Sequence, residues 1–143
     1  MRYVLIALLL SLGSSVNAQT LTLMGSASVH LDVNQGDTVQ AVFYIQNKTD
    51  ETLYISQVAP DCQCTAAGYP TEGVAAGAQD SVVLYFYSKN TPPGPFSKTA
   101  VVDLPTGSFS LIIEGNCSIV RPQVRAGERP VLYKPRYLRI SNR

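Results

Sequence analysis

The chain has 143 residues, which is enough for one domain with a hydrophobic core of its own. Its formal net charge of +1 conceals an uneven distribution. Residues 19–120 carry three lysines against nine carboxylates, whereas residues 121–143 carry six arginines and one lysine against one carboxylate. The acidic body argues against nucleic-acid binding, and the basic tail favours docking on its own domain, on an acidic partner or on an anionic surface.

The first 18 residues have the three parts of a secretory signal peptide. Arg2 supplies positive charge, an apolar run follows at residues 3–12, and the residues at positions 16 and 18 are small enough for cleavage after Ala18. The run has about 10 apolar residues, whereas a helix that crosses a bilayer needs about 20. We therefore expect residues 1–18 to be removed, the mature chain to have no integral membrane segment, and the protein to reach the periplasm or the outer envelope.

Alternation of apolar and polar residues with a period of two recurs along residues 19–120 and predicts an all-β domain. In chain order, the predicted strands lie at residues 27–33, 39–46, 53–58, 82–87, 99–104 and 109–114. The strand at 82–87 is apolar on both faces, which predicts a central position, and residues 59–79 are expected to be loop with short extended pieces. The number and spacing of strands predict an immunoglobulin-like antiparallel β-sandwich of about seven strands.

Residues 121–143 form a separate basic tail that contains three prolines. Its segment 131–140 is extended in character, and a single edge strand could tolerate Pro135. The tail is therefore expected either to pair with a sheet edge of its own domain or of a partner, or to have no fixed structure. Arg136, Tyr137 and Arg139 are the candidate partner-binding residues of the tail.

Five segments of the body resemble elements of one protein family. They are an apolar strand that ends in Asn-x-Thr (42–49), the strand after it (53–58), a Cys-x-Cys-Thr element (61–65) and two glycine turns (73–77 and 94–98). The Cys-x-Cys-Thr element is the most specific of these features. On these residues the chain resembles the family called domain of unknown function 1573.

The resemblance covers residues 26 to about 119. It implies a fold similar to the immunoglobulin-like sandwiches of the sperm-protein and ciliary-scaffold type, in an exported module of Gram-negative bacteria of the Bacteroides lineage. Gln63 stands where the family usually has glycine, Ala76 stands where it usually has proline, and Cys117 is additional to the pattern. The resemblance carries over no catalytic residues.

The three cysteines are the sharpest candidates for chemistry. Cys62 and Cys64 could be structural thiols, could bind a soft metal such as Cu(I), or could form a strained, redox-active disulfide. Cys117 shares sequence parity with apolar residues of the strand at 109–114, so it should face the core, and it could bond to either of the other two cysteines. His30 is the only histidine and Met24 is the only methionine after cleavage, so further ligands are scarce, and we expect no metal and no cofactor.

No catalytic constellation emerges from the sequence. A Ser–His–Asp set would need His30, which alternates with Ser and Asp as a solvent-facing strand residue does, and no pair of carboxylates stands out. The sequence therefore predicts a non-enzymatic binding or scaffold module that contacts an unknown protein in the cell envelope. The alternative is a metal-binding or thiol-redox periplasmic protein that uses Cys62 and Cys64.

Overall fold

The computed structural model describes residues 21–122, 124, 126–130 and 132–143, so the predicted signal peptide lies outside the described residues. Within these ranges no helix is both long enough and apolar enough to cross a membrane. The described residues form ten strands: β1 (Leu21–Leu23), β2 (Ser28–His30), β3 (Val33–Asn34), β4 (Thr38–Asn47), β5 (Gln57–Pro60), β6 (Thr65–Gly68), β7 (Gln79–Tyr87), β8 (Gly94–Leu104), β9 (Gly107–Ser118) and β10 (Tyr137–Ser141).

The strands make two sheets that face each other. The first sheet has the order β1-β4-β7-β6, with β10 also paired to β4, and the second has the order β2-β9-β8-β5, with β3 also paired to β9. Every second residue of the long strands points between the sheets, where it loses contact with water. The residues that are fully buried and largest are Phe43, Phe86, Ile45, Leu84, Leu111 and Ile113. Each such side chain contributes roughly 1.5–3 kcal/mol through burial.

The predicted all-β sandwich is confirmed, and so is the central position of the strand at 82–87, because β7 pairs with β4 on one side and β6 on the other. Two local expectations change. In the segment at 53–58 the strand begins only at Gln57, and Leu53 makes an isolated bridge to Val74 instead. The strand predicted at 99–104 begins earlier, at Gly94, so that Pro95 lies within β8; β5 pairs only with residues 100–103, so the missing N–H donor of Pro95 falls where β8 has one neighbour.

One edge of β4 is shared by both ends of the described chain. β1 runs antiparallel to the last part of β4, where Leu23 is opposite Ile45. The chain then crosses to the second sheet, where β2 and β3 run parallel to β9. This crossing leaves the first half of the β4 edge to β10, which runs parallel to it from Thr38 to Val42. The antiparallel sandwich therefore contains parallel pairs at its edges.

Gly115 allows the backbone of β9 to approach closely the segment that joins β2 to β3. Between β2 and β3 the chain bends at Leu31, whose N–H donates to the carbonyl of Glu114 at 2.9 Å. A Cβ atom on Gly115 would lie 2.7 Å from the carbonyl carbon of Leu31 and closer still to its oxygen. Backbone atoms cannot move aside as a flexible side chain can, so this position requires glycine.

We predict that Gly115→Ala lowers the free energy of unfolding by about 2 kcal/mol, because the new methyl group forces β2 and β3 away from β9. Gly68→Ala is the matched control, because it is also a strand glycine and its added Cβ would make only an ordinary contact 3.9 Å from the Tyr85 ring. Urea denaturation of both variants measures the difference. Equal stability of the two variants would contradict the prediction.

Candidate functional site

The C-terminal strand β10 lies on the edge of the first sheet, alongside Thr38–Val42 of β4. We call this stretch of the β4 edge the slot. The register of β10 is fixed by the pairs Tyr137 with Thr38 and Arg139 with Gln40. Leu138 and Ile140 alternate with these residues and pack against the core, whereas Tyr137 points outward with 62% of its surface exposed. The amphipathic sequence of the tail thus produces a strand with one buried face and one solvent-facing face.

The slot begins at a buried carboxylate. Residues 34–37 form a turn in which the N–H of Asp37 donates to the carbonyl of Asn34 at 2.9 Å, and the N–H of Asn34 donates to the Asp37 carboxylate at 2.8 Å. The hydroxyl of Ser88 also donates to the Asp37 carbonyl at 2.8 Å. These contacts hold Asp37 against the sandwich, where it is fully buried.

Arg136 provides the charge that Asp37 needs. Its Nη2 lies 2.7 Å from Oδ2 of Asp37, its Nε donates to the same oxygen at 3.2 Å, and its backbone N–H donates to Oδ1 at 2.9 Å. The hydroxyl of Tyr133 donates to Oδ1 as well. An unpaired buried carboxylate is strongly destabilising, commonly by about 3–5 kcal/mol. The docked position of the tail is therefore stabilised when the tail carries arginine at the position that meets Asp37.

The same network sets the protonation of Asp37. Burial acts to raise the pKa of the carboxyl, but the hydrogen bonds from the Arg136 side chain, from Tyr133 and from the backbone N–H groups of Arg136 and Asn34 outweigh it. The result is a pKa of about 2, below the ordinary value of 3.8. The same interaction raises the pKa of Arg136. Asp37 is therefore ionised, and the ion pair is formed, at neutral pH.

The far end of the slot is held by Asn142. Its Oδ1 accepts a hydrogen bond from the N–H of Tyr44 at 3.0 Å, and its own N–H donates to the carbonyl of Val42 at 3.1 Å. Gly25 packs against it so closely that a Cβ there would lie 2.8 Å from the Asn142 carbonyl carbon. The guanidinium of Arg143 then covers the Tyr44 ring, 3.9 Å from its centroid. Both ends of the strand are thus fixed to the body.

Together with β10, the outer face of the first sheet is rich in tyrosine. Cross-strand pairing forms two rows on this face: Tyr137, Thr38 and Tyr87 in one, and Arg139, Gln40 and Tyr85 in the next. Adjacent strands lie about 4.8 Å apart, so each row is about 10 Å wide. We call these two rows the tyrosine face.

The three tail residues proposed from the sequence thus have different positions. Tyr137 and Arg139 lie together on the tyrosine face, whereas Arg136 is bound to Asp37. Sequence reasoning missed Asp37, whose neighbours are those of an ordinary turn residue, and it missed Asn142. One signal could have indicated the Asp37–Arg136 pair. Asp37 stands at the start of a strongly apolar strand, and the cations of the chain are concentrated in the tail.

The cysteines occupy two separate places. Cys62 and Cys64 are joined by a disulfide in the loop between β5 and β6, and the hydroxyl of Thr65 lies 3.7 Å from one sulfur and 3.9 Å from the other. Cys117 is a free thiol buried in the core on β9, with its sulfur 3.7 Å from the carbonyl oxygen of Thr91. Burial and the charge of Asp37 raise the pKa of the Cys117 thiol. The pairings of Cys117 left open by the sequence are absent from the structure of the described residues.

The family of the chain follows from a comparison with family models. The model described as "Protein of unknown function (DUF1573)" matches residues 28–117. The chain belongs to this family. The resemblance noted in the sequence is thereby confirmed, and the DUF1573 region extends from the first residue of β2 to Cys117 near the end of β9. A comparison with curated protein sequences gave no match.

Solved structures show the same fold. The chain is similar to an ASH/PapD-like domain of human CEP192, with a TM-score of 0.54 at 9% identity, over 73% of this chain and 89% of that one. It is similar to the secreted serine protease VesC of Vibrio cholerae, with a TM-score of 0.51 at 13% identity, over 69% of this chain but only 23% of the protease. At such identities these likenesses show the fold alone, and the predicted immunoglobulin-like class is confirmed.

Asp37 should give the stability a dependence on acid pH. Its depressed pKa means that the folded state binds this proton less readily than the unfolded state, so the stabilisation is complete above about pH 4 and is lost as the pH falls towards 2. The difference from the ordinary value corresponds to about 2 kcal/mol. Asp37→Asn should remove this part of the pH dependence, and Asp50→Asn, an exposed turn carboxylate, is the control. Denaturant titrations at pH 6 and pH 2.5 measure the change in the free energy of unfolding between the two pH values. If this change is the same in Asp37→Asn as in the unmodified protein, the prediction is wrong.

Proposed function

We propose that this DUF1573 protein is an exported, non-enzymatic binding module of the cell envelope that contacts a partner protein through its tyrosine face. The observation that carries the proposal is the composition of that face, where three tyrosines and one arginine lie in two adjacent rows. Tyrosine and arginine are, together with tryptophan, enriched among the residues that contribute most of the binding energy in protein interfaces. The signal-peptide pattern of residues 1–18 supports export.

The physical properties of the tyrosine face suit a protein surface that carries carboxylates. Tyr137 and Tyr87 are 62% and 47% exposed, so each offers a large apolar ring to a partner, and the Tyr137 ring is held in place because its hydroxyl donates to Oε1 of Gln40 at 2.8 Å. Arg139 is exposed beside them and can bind a carboxylate through two parallel hydrogen bonds. Because β10 is fixed at both ends, these side chains start from a preorganised backbone, which reduces the entropy lost on binding.

A second candidate function is thiol–disulfide exchange at Cys62 and Cys64. The observation that favours it is that these two cysteines already form a disulfide in a surface loop, where both are only partly buried. The ring closed by this disulfide contains a single intervening residue, so its loop-closure contribution to stability is small, about 1.5 kcal/mol. In this reaction a partner dithiol would give two electrons to the Cys62–Cys64 bond and would itself become a disulfide.

The binding proposal predicts loss of partner capture by Tyr137→Ser/Arg139→Glu. Removing one aromatic contact and reversing one charge should weaken binding at least about 30-fold, which corresponds to about 2 kcal/mol. Tyr54→Ser/Lys48→Glu is the matched control, with the same changes at exposed positions outside the tyrosine face. Capture from the envelope fraction, followed by titration of the purified partner, measures the effect. Equal binding by the two variants would exclude the tyrosine face.

Thiol–disulfide exchange at Cys62 and Cys64 predicts that the cysteines of the native protein differ in reactivity. Under mild dithiol treatment, Cys62 and Cys64 should become available for alkylation, whereas Cys117 should react only after unfolding, because it is buried in the core. Mass spectrometry of the alkylated peptides counts the modified cysteines, and Cys117 is the internal control. A disulfide that stays intact until the protein unfolds would eliminate this candidate.

A further inference from the structure

The segment that joins β9 to β10 is much longer than the distance it has to cover. β9 ends at Ser118, which pairs with Asn34, and β10 begins at Tyr137, which pairs with Thr38. Asn34 and Thr38 are four residues apart around a turn, and each pairing adds about 4.8 Å, so the two ends are at most about 25 Å apart. The 18 residues at 119–136 can extend to about 60 Å.

Little of this segment is attached to the body. Among its described residues, those from 119 to 130 and Leu132 are all exposed, and Leu132 and Val124 are exposed apolar side chains. Among the described residues of this segment, the first with a hydrogen bond to the body is Tyr133, whose hydroxyl donates to Asp37. From residue 119 to 132 the described chain therefore acts as a tether, and the strand that it carries is held by contacts made from Tyr133 onward.

From this geometry we propose that β10 exchanges between molecules, so that the slot along β4 of one molecule receives the β10 strand of a second copy of this chain. The proposal is separate from the tyrosine face, which keeps its composition whichever copy supplies β10. It rests on two properties of the structure, the excess length of the tether and the specificity of the slot.

The contacts within the slot determine what its occupant must contain. It requires arginine at the position that meets Asp37, apolar residues at the alternating positions of Leu138 and Ile140, and a side-chain oxygen that accepts a hydrogen bond at the position of Asn142. A vacant slot would leave a buried carboxylate unpaired and the outer edge of Thr38–Val42 without hydrogen-bond partners. A second copy of the chain meets every requirement, because the exchanged strand makes the same contacts as the original one.

Reciprocal exchange between two molecules closes a symmetric dimer, which leaves no slot vacant. The contacts within the slot are the same in the monomer and in the exchanged dimer. The proportion of dimer is therefore set by the length of the tether and by the protein concentration. A tether of this length gives its own strand an effective concentration of roughly millimolar. The closed monomer should therefore dominate at micromolar concentration, and exchanged dimers should accumulate as the protein approaches millimolar concentration.

The test traps the exchange between two mature full-length variants. Gln40→Cys places a thiol on β4, Arg139→Cys places one at the matching register position of β10, and both positions lie on the outer face of the sheet. The two variants are mixed at about 1 mM, incubated in native buffer so that Cys117 stays buried, oxidised, and separated without reductant. We expect a covalent dimer whose linked peptides contain residues 40 and 139.

Two controls make the result decisive. The double variant Gln40→Cys/Arg139→Cys, oxidised at micromolar concentration, should give a cross-linked monomer, which shows that the register forms a bond when both thiols are present. Arg139→Cys mixed with Ser108→Cys, an exposed position on β9, measures bonds formed by chance collision. Dimer from the first mixture several-fold above this background supports exchange. A cross-linked monomer in the double variant, with no dimer above background in the mixture, overturns it.

Discussion

Asp37 is a charge that the fold buries completely, and a buried charge is tolerated only where a partner charge is brought to it. That partner, Arg136, lies 99 residues further along the chain. The backbone of Arg136 is bound at the same place, because its N–H donates to the carboxylate and its carbonyl accepts from Thr38. The ion pair therefore sets the register of β10, and a slip of one residue would turn Leu138 and Ile140 towards water.

The need for β10 arises from the path of the other end of the chain. β1 pairs with the last part of β4 and then leaves for the second sheet, so the first sheet lacks an edge strand along Thr38–Val42. An edge of this kind is a template for unwanted pairing. Occupation of the edge by the chain's own β10 satisfies the backbone groups and covers Leu138 and Ile140, and it places Tyr137 and Arg139 where a partner can contact them.

The sequence predicts those strands in which the alternation of apolar and polar residues matches the alternation of buried and exposed positions in the sandwich. Burial alternates along the second half of β7 because one of its faces meets the core, and β7 also has a strand on each side, as its apolar sequence predicted. β5 and β6 are four residues each, too short for a period to emerge among the turn residues around them. Their positions depend on pairing with β8 and β7, which a local pattern does not encode.

The candidate site was less predictable because it is assembled from distant segments. The concentration of cations in residues 121–143 indicated a tail that docks, with its own domain among three acceptors. The identity of the acceptor depended on which carboxylate is buried, and Asp37 has the sequence context of a turn, where aspartate is common for local reasons. Cys62 and Cys64 could be recognised from the sequence as a pair, but their state could not, because one intervening residue is compatible with thiols, a metal or a disulfide.

The family boundary divides the slot from the strand that fills it. Asp37 and the whole of β4 lie within the DUF1573 region at 28–117, whereas β1, Arg136 and β10 lie outside it. The DUF1573 region of this chain is thus a sandwich with an incomplete edge and a buried charge, and residues beyond the region complete both. Because an edge strand is recognised mainly through its backbone and a few alternating side chains, the same physical requirements are met by any segment with arginine at one end, two inward apolar residues and an acceptor side chain at the other end. The specificity of the slot therefore resides in Asp37, and the choice of donor depends on which chain presents such a segment at the highest local concentration.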